Sequence, residues 1–72
     1  MQEIYINTEF IKLDSFLKLS GCAQSGGDAK MLIRDLEVKV NGEVCSMRGK
    51  KLYPGDKVEY DNEIFMVSAK CK

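Results

Sequence analysis

The chain has 72 residues, 44% of them hydrophobic and 31% charged, with 11 basic and 11 acidic side chains and no histidine. One hydrophobic core is what this length supports, so a second lobe enclosing a substrate is not expected, and without histidine the Cys–His and Ser–His–Asp arrangements are excluded. No apolar stretch nears the roughly 20 residues that span a bilayer, and Met1-Gln2-Glu3 lacks the basic and apolar regions of a signal peptide. The expectation is one cytoplasmic domain covering 1–72.

Glu3-Ile4-Tyr5-Ile6 alternates polar and apolar side chains and predicts a half-buried strand, broken by Asn7-Thr8. From about Lys12 to Ser20, Leu13, Phe16 and Leu17 recur at helical spacing, and Gly21 follows where a helix commonly ends in a left-handed residue. Ser25 stands three residues before Asp28, the spacing of a capping box, and opens a second helix to about Asp35. Ala29, Leu32, Ile33 and Leu36 give that helix an apolar stripe, while Lys30 and Arg34 share a solvent-facing flank one turn apart.

Glu37-Val38-Lys39-Val40 alternates as a strand, Asn41-Gly42 is the preferred pair for a type I′ turn, and Glu43-Val44-Cys45 returns. Ser46 to Lys51 reads as an exposed, mobile loop. Leu52-Tyr53 is expected to re-enter the sheet before a turn at Pro54-Gly55-Asp56. Lys57-Val58-Glu59-Tyr60 and Ile64-Phe65-Met66-Val67, separated by Asp61-Asn62-Glu63, read as a final hairpin. The fold class expected is α+β, two short helices packed on a small, mostly antiparallel sheet.

Cys22, Cys45 and Cys71 are odd in number and widely spaced, so they suggest neither a disulfide framework nor a zinc site, and reduced thiols are expected. The acids fall at turns or on predicted solvent faces, where they read as solvated charges rather than catalytic pairs. Neither an enzyme activity nor a cofactor is expected.

The zero net charge conceals an uneven distribution. Between residues 30 and 51 the bases Lys30, Arg34, Lys39, Arg48, Lys50 and Lys51 face only Asp35, Glu37 and Glu43, whereas the flanks are acidic. At the start of the second helix, free amides and the helix dipole create positive potential, and Gly26 and Gly27 put no side chain in the way of a phosphate. Lys30 and Arg34 extend that edge along the helix. Read alone, Ser25 is a cap and the glycines relax a tight turn, and Asp28 adds a negative charge beside them. Lys39 and the run from Arg48 to Lys51 gain meaning only where the fold brings them beside that helix. The aromatic residues are nearly all placed at core-facing positions, so a stacking platform for bases is not expected.

From about Ile11 to Tyr60 the order of motifs resembles the RNA-binding domain of ribosomal protein S-four, also called the alpha-L RNA-binding motif. The resemblance rests on Lys12-Leu13-Asp14 opening the first helix and on Ser25, Ala29, Leu32 and Ile33 in the second. It continues in the hairpin Val38-Lys39-Val40-Asn41-Gly42 and the turn Pro54-Gly55-Asp56. The small size and the run Gly21-Cys22-Ala23-Gln24-Ser25-Gly26-Gly27 look most like the stand-alone bacterial YaaA and YbcJ group.

The wider family binds structured RNA, often ribosomal, through the two helices and the adjoining hairpin loop. By that resemblance Lys12, Ser25, Gly26, Gly27, Lys30, Arg34, Lys39, Arg48, Lys50 and Lys51 inherit the RNA-binding face. Two positions depart from the family pattern: Gly26 stands where most members carry an arginine, and Leu36 where a glycine commonly closes the second helix. The function implied is recognition of structured RNA, ribosomal RNA included, in ribosome assembly, by a monomer without a membrane partner. The alternative is a protein-interaction module on the same fold.

Overall fold

In the computed structural model, which describes residues 2–69, local sequence signals set most of the element boundaries. The elements are β1 (Gln2–Ile6), β2 (Ile11–Lys12), α1 (Leu13–Leu19), α2 (Gly26–Arg34), β3 (Val38–Val40), β4 (Glu43–Val44), β5 (Lys51–Leu52), β6 (Lys57–Tyr60) and β7 (Glu63–Ala69). Cys22 and Cys45 hold free thiols, while Cys71 lies outside the described residues.

Five strands form one sheet in the order β1-β7-β6-β3-β4. All its ladders are antiparallel except β1 on β7, which is parallel and joins the two ends of the described chain. Two tight turns set the hairpin registers. Asn41 and Gly42 have φ of 53° and 88°, and Asp61 and Asn62 have φ of 56° and 66°. Two consecutive left-handed residues give a turn whose twist matches that of the strands it joins. Asn and Asp tolerate this geometry better than other residues with a Cβ.

Side chains alternate across the sheet, as the strand period requires. Ile6, Val38, Val40, Val58, Phe65 and Val67 point inward and are buried, together with Leu13, Phe16 and Leu17 of α1 and Ala29 and Ile33 of α2. The two helices also pack on each other, so they form one layer over the inner face. Truncating the fully buried Phe16 to Ala would cost about 3–5 kcal/mol, a large share of what holds so small a domain together.

Three expectations are corrected. Leu36 does not extend the apolar stripe of α2: it is 56% exposed and left-handed at φ 61°. Its N–H donates to the carbonyl of Ile33 at 3.0 Å and that of Glu37 to Leu32 at 3.2 Å, the paired bonds that close a helix through a left-handed residue. Leu52 does not rejoin the main sheet, because β5 pairs with β2 in a separate two-stranded ladder. Tyr5 and Tyr53, among the aromatic residues expected to be nearly all core-facing, are 55% and 45% exposed.

Candidate nucleic-acid interface

The first helix begins without a side-chain cap. Lys12 occupies the cap position in an extended conformation and makes no capping hydrogen bond, which leaves the first amides of α1 in need of acceptors. The loop after β4 supplies them. The Leu13 N–H donates to the carbonyl of Lys50 at 2.9 Å, and the Asp14 N–H to that of Arg48 at 3.1 Å. Within the loop, the Lys50 N–H donates to the carbonyl of Met47 at 3.1 Å. The segment read from sequence as mobile is therefore tied by its main chain to α1.

The β2–β5 ladder completes the tie, setting Ile11 opposite Leu52 and Lys12 opposite Lys51. Leu52 is fully buried and anchors the bridge. As a result Lys12, Arg48, Lys50 and Lys51, from two distant stretches of sequence, gather around the first turn of α1. Lys12, Arg48 and Lys51 are exposed and Lys50 is half-buried. The Lys51 Nζ lies 4.9 Å from the centre of the Phe10 ring, which restrains the position of the ammonium through the negative face of the ring.

The second cation group lies on α2. Ser25 is its extended N-cap, and the Ser25 Oγ accepts from the Asp28 N–H at 3.2 Å. Gly26 and Gly27 form the first helical positions and are exposed. A Cβ added at Gly26 would meet nothing within 4 Å, and one at Gly27 only the Ser25 Oγ at 3.8 Å. Neither glycine has a positive φ, so the reading that they relax a strained turn has no support in the geometry. What they leave is an open approach to the helix amides, flanked by the exposed carboxylate of Asp28. Lys30 and Arg34 follow on the same helix, both exposed.

α1, whose start the first group surrounds, packs on α2, which carries the second. No ladder or main-chain bond connects the basic loop directly to α2 among the described residues; α1 is the intermediary. Lys39 stands apart. It is exposed between the buried Val38 and Val40 and faces Glu59 and Val44 in register, on the sheet face away from the helices.

Among the described residues no polar or charged side chain is buried, and no group of three or more His, Cys, Asp or Glu side chains could hold a metal ion. Among the described residues no helix is long and apolar enough to cross a membrane. What the arrangement offers a ligand is surface-borne: ammonium, guanidinium and amide donors suited to phosphate oxygens. Sequence reasoning missed two parts of this surface. The capping carbonyls of Arg48 and Lys50 have no side-chain signature, whereas the exposure of Tyr53 could have been read from its position directly before the Pro54-Gly55 turn.

A helix pair laid over one face of a sheet, with exposed cations around the start of α1 and along α2, is the architecture these elements build. A family model described as the S4 domain matches residues 4–68, wider than the stretch that carries the resemblance in sequence. A Bacillus subtilis (strain 168) protein named "Probable ribosome maturation protein RlbA" is 52% identical over 58 residues, which are 81% of this chain and 82% of that relative. The chain belongs to the S4-domain family, the RNA-binding family whose motif order its sequence carries.

Proposed function

We infer that this protein binds folded or double-helical RNA, ribosomal RNA first, through phosphates and helix shape with little reading of base edges, and that it serves ribosome assembly without catalysing a reaction. The observation that carries this reading is the gathering of Lys12, Arg48, Lys50 and Lys51 at the start of α1, beside a helix bearing Lys30 and Arg34. A-form RNA hides its base edges in a deep, narrow major groove and displays phosphates and 2′-hydroxyls across a shallow minor groove. Cations on two adjacent helices are suited to such a surface. The relative named for ribosome maturation supports ribosomal RNA as the target class. Ser25, Gly26 and Gly27 contribute amides and a hydroxyl, and Lys39 a peripheral charge. The protein acts in the cytoplasm as a monomer.

The test is a titration of structured ribosomal RNA fragments followed by fluorescence anisotropy across a salt series. Contacts to about four to six phosphates give a slope of log K against log salt of about −3 to −5. A Lys30→Glu, Arg34→Glu double variant that folds by circular dichroism loses most of the affinity. Binding that is indifferent to salt, or unchanged in the variant, overturns the reading.

One observation favours a second reading, docking on a protein partner. The outer sheet face sets exposed Val44 and Ile64 in one register row with Lys39 and Glu59. Binding that survives high salt and is lost on Ile64→Glu would establish it.

A further inference from the structure

The β2–β5 ladder carries a feature that the phosphate-binding reading leaves unused. Leu52 points inward, fully buried, so Lys51 and Tyr53 on either side of it face outward. On the other strand Ile11 opposes Leu52 and Lys12 opposes Lys51, and continuing that register brings Phe10 to Tyr53. The rings meet, with centroids 5.9 Å apart and planes inclined at 49°. The outward side of this small ladder is therefore two cations beside two aromatic rings.

Neither ring belongs to the hydrophobic core or to the partly buried residues packed against it. The main chain of Tyr53 nevertheless makes two hydrogen bonds to Asp56. Its N–H donates to the Asp56 Oδ2 at 2.8 Å, and its carbonyl accepts from the Asp56 N–H at 2.9 Å across the Pro54-Gly55 turn. Asp56 is itself held by the Asn41 Nδ2 at 3.2 Å. On the other strand, the Thr8 Oγ1 donates to the carbonyl of Phe10 at 2.7 Å. The Tyr53 main chain is thus held in a hydrogen-bonded turn, its ring meets that of Phe10, and the residue is 45% exposed.

A solvent-facing aromatic ring next to exposed cations has the chemistry to hold a nucleobase. Bases within a duplex have their faces covered by their neighbours, so the ligand must present an unstacked base. We propose that Tyr53, supported by Phe10, stacks on an unpaired nucleobase, a bulge or loop nucleotide, whose flanking phosphates lie on Lys12 and Lys51. The inference rests on the RNA reading and narrows its substrate class from uniform helices to helices interrupted by an unpaired nucleotide.

The experiment uses two RNA hairpins of one stem sequence, one with a single unpaired 2-aminopurine in the stem and one with the same base paired to uracil. The full chain binds the bulged hairpin roughly tenfold more tightly, within the range one base–aromatic stack supplies, and 2-aminopurine emission changes only in that hairpin. Tyr53→Ala abolishes both the preference and the emission change, whereas Tyr53→Phe keeps them. Equal affinity of the wild-type chain for the two hairpins overturns the stacking site alone, provided binding to both is salt-dependent. Absence of binding to either overturns the RNA reading and the stacking site together. The wild-type comparison decides even where Tyr53→Ala does not fold, and a preference retained in a folded Tyr53→Ala also overturns the proposal.

Discussion

The N–H of Leu13 donates to the carbonyl of Lys50 at 2.9 Å, across a gap in sequence that includes both helices and the first hairpin. Together with the bond from Asp14 to Arg48, it makes the basic loop the cap of α1. A helix start capped only by water exchanges its first amides quickly. Because both have acceptors here, the Leu13 and Asp14 amides are expected to exchange nearly as slowly as that of Leu17 inside the helix. Residue-resolved hydrogen exchange measures this, and rapid exchange at both positions beside a slow Leu17 would mean that the loop is untied.

Leu36 closes α2 in a left-handed conformation that costs a residue with a Cβ about 1–2 kcal/mol. Its side chain is 56% exposed and offsets little of that cost by burial. Leu36→Gly removes the strain, while glycine's greater freedom in the unfolded chain returns about 0.5–1 kcal/mol of the gain. The variant is expected to be more stable by about 0.5–1 kcal/mol, a rise of a few degrees in thermal midpoint. A lowered midpoint would mean that the Leu36 side chain makes contacts worth more than the backbone strain.

The parts of the fold that were legible in sequence are those whose cause is local. Ser25 with Asp28, the Asn41-Gly42 turn and the Pro54-Gly55-Asp56 turn each act within four residues, and each stands where it was expected. The tie between β2 and β5 involves only Ile11, Lys12, Lys51 and Leu52, too short to leave a periodic signal in either stretch. The main-chain acceptors at Arg48 and Lys50 could be replaced by those of almost any residue. Leu36 illustrates a different limit. It stands three residues after Ile33, as a stripe residue would, but the helix ends before it and the backbone turns it outward. For the candidate site, the α2 group was visible as a run of residues, whereas the clustering of Lys12 with Arg48, Lys50 and Lys51 depended on tertiary contacts.

Tyr60 sits half-buried against the core, and its phenol is held above the ordinary 10.0 by burial first, then by the charges of Glu37, Asp61 and Cys22. Because the fold favours the neutral phenol, the associated stability is fully present below the unfolded-state value near 10 and is lost as pH rises through the higher folded-state value. Tyr5 is raised as well, by its 2.6 Å hydrogen bond to the Glu3 Oε1 and by that carboxylate's charge. Absorbance at 295 nm should show these two phenols ionising late, above the ordinary value of 10.0. Tyr60→Phe should remove one late step and flatten the fall in stability above pH 10, and an unchanged profile would contradict the assignment to Tyr60.

Gly26 stands where the family resemblance leads one to expect an arginine, and the space in front of it is open. A Cβ at this position meets nothing within 4 Å, so Gly26→Arg starts its side chain into open space, at a position whose backbone requires no glycine. The new guanidinium projects from the start of α2, near Lys30, and offers a charge-assisted donor to a phosphate approaching the helix amides. One added phosphate contact should raise RNA affinity several-fold at low salt and steepen the slope of log K against log salt by about 0.7 to 0.9. The advantage should shrink as salt is raised, because the gain is the release of one more condensed cation. A variant that folds and binds with the parent affinity and slope would show that RNA does not approach this end of α2, and would leave Lys12, Arg48, Lys50 and Lys51 at the start of α1 as the principal phosphate site.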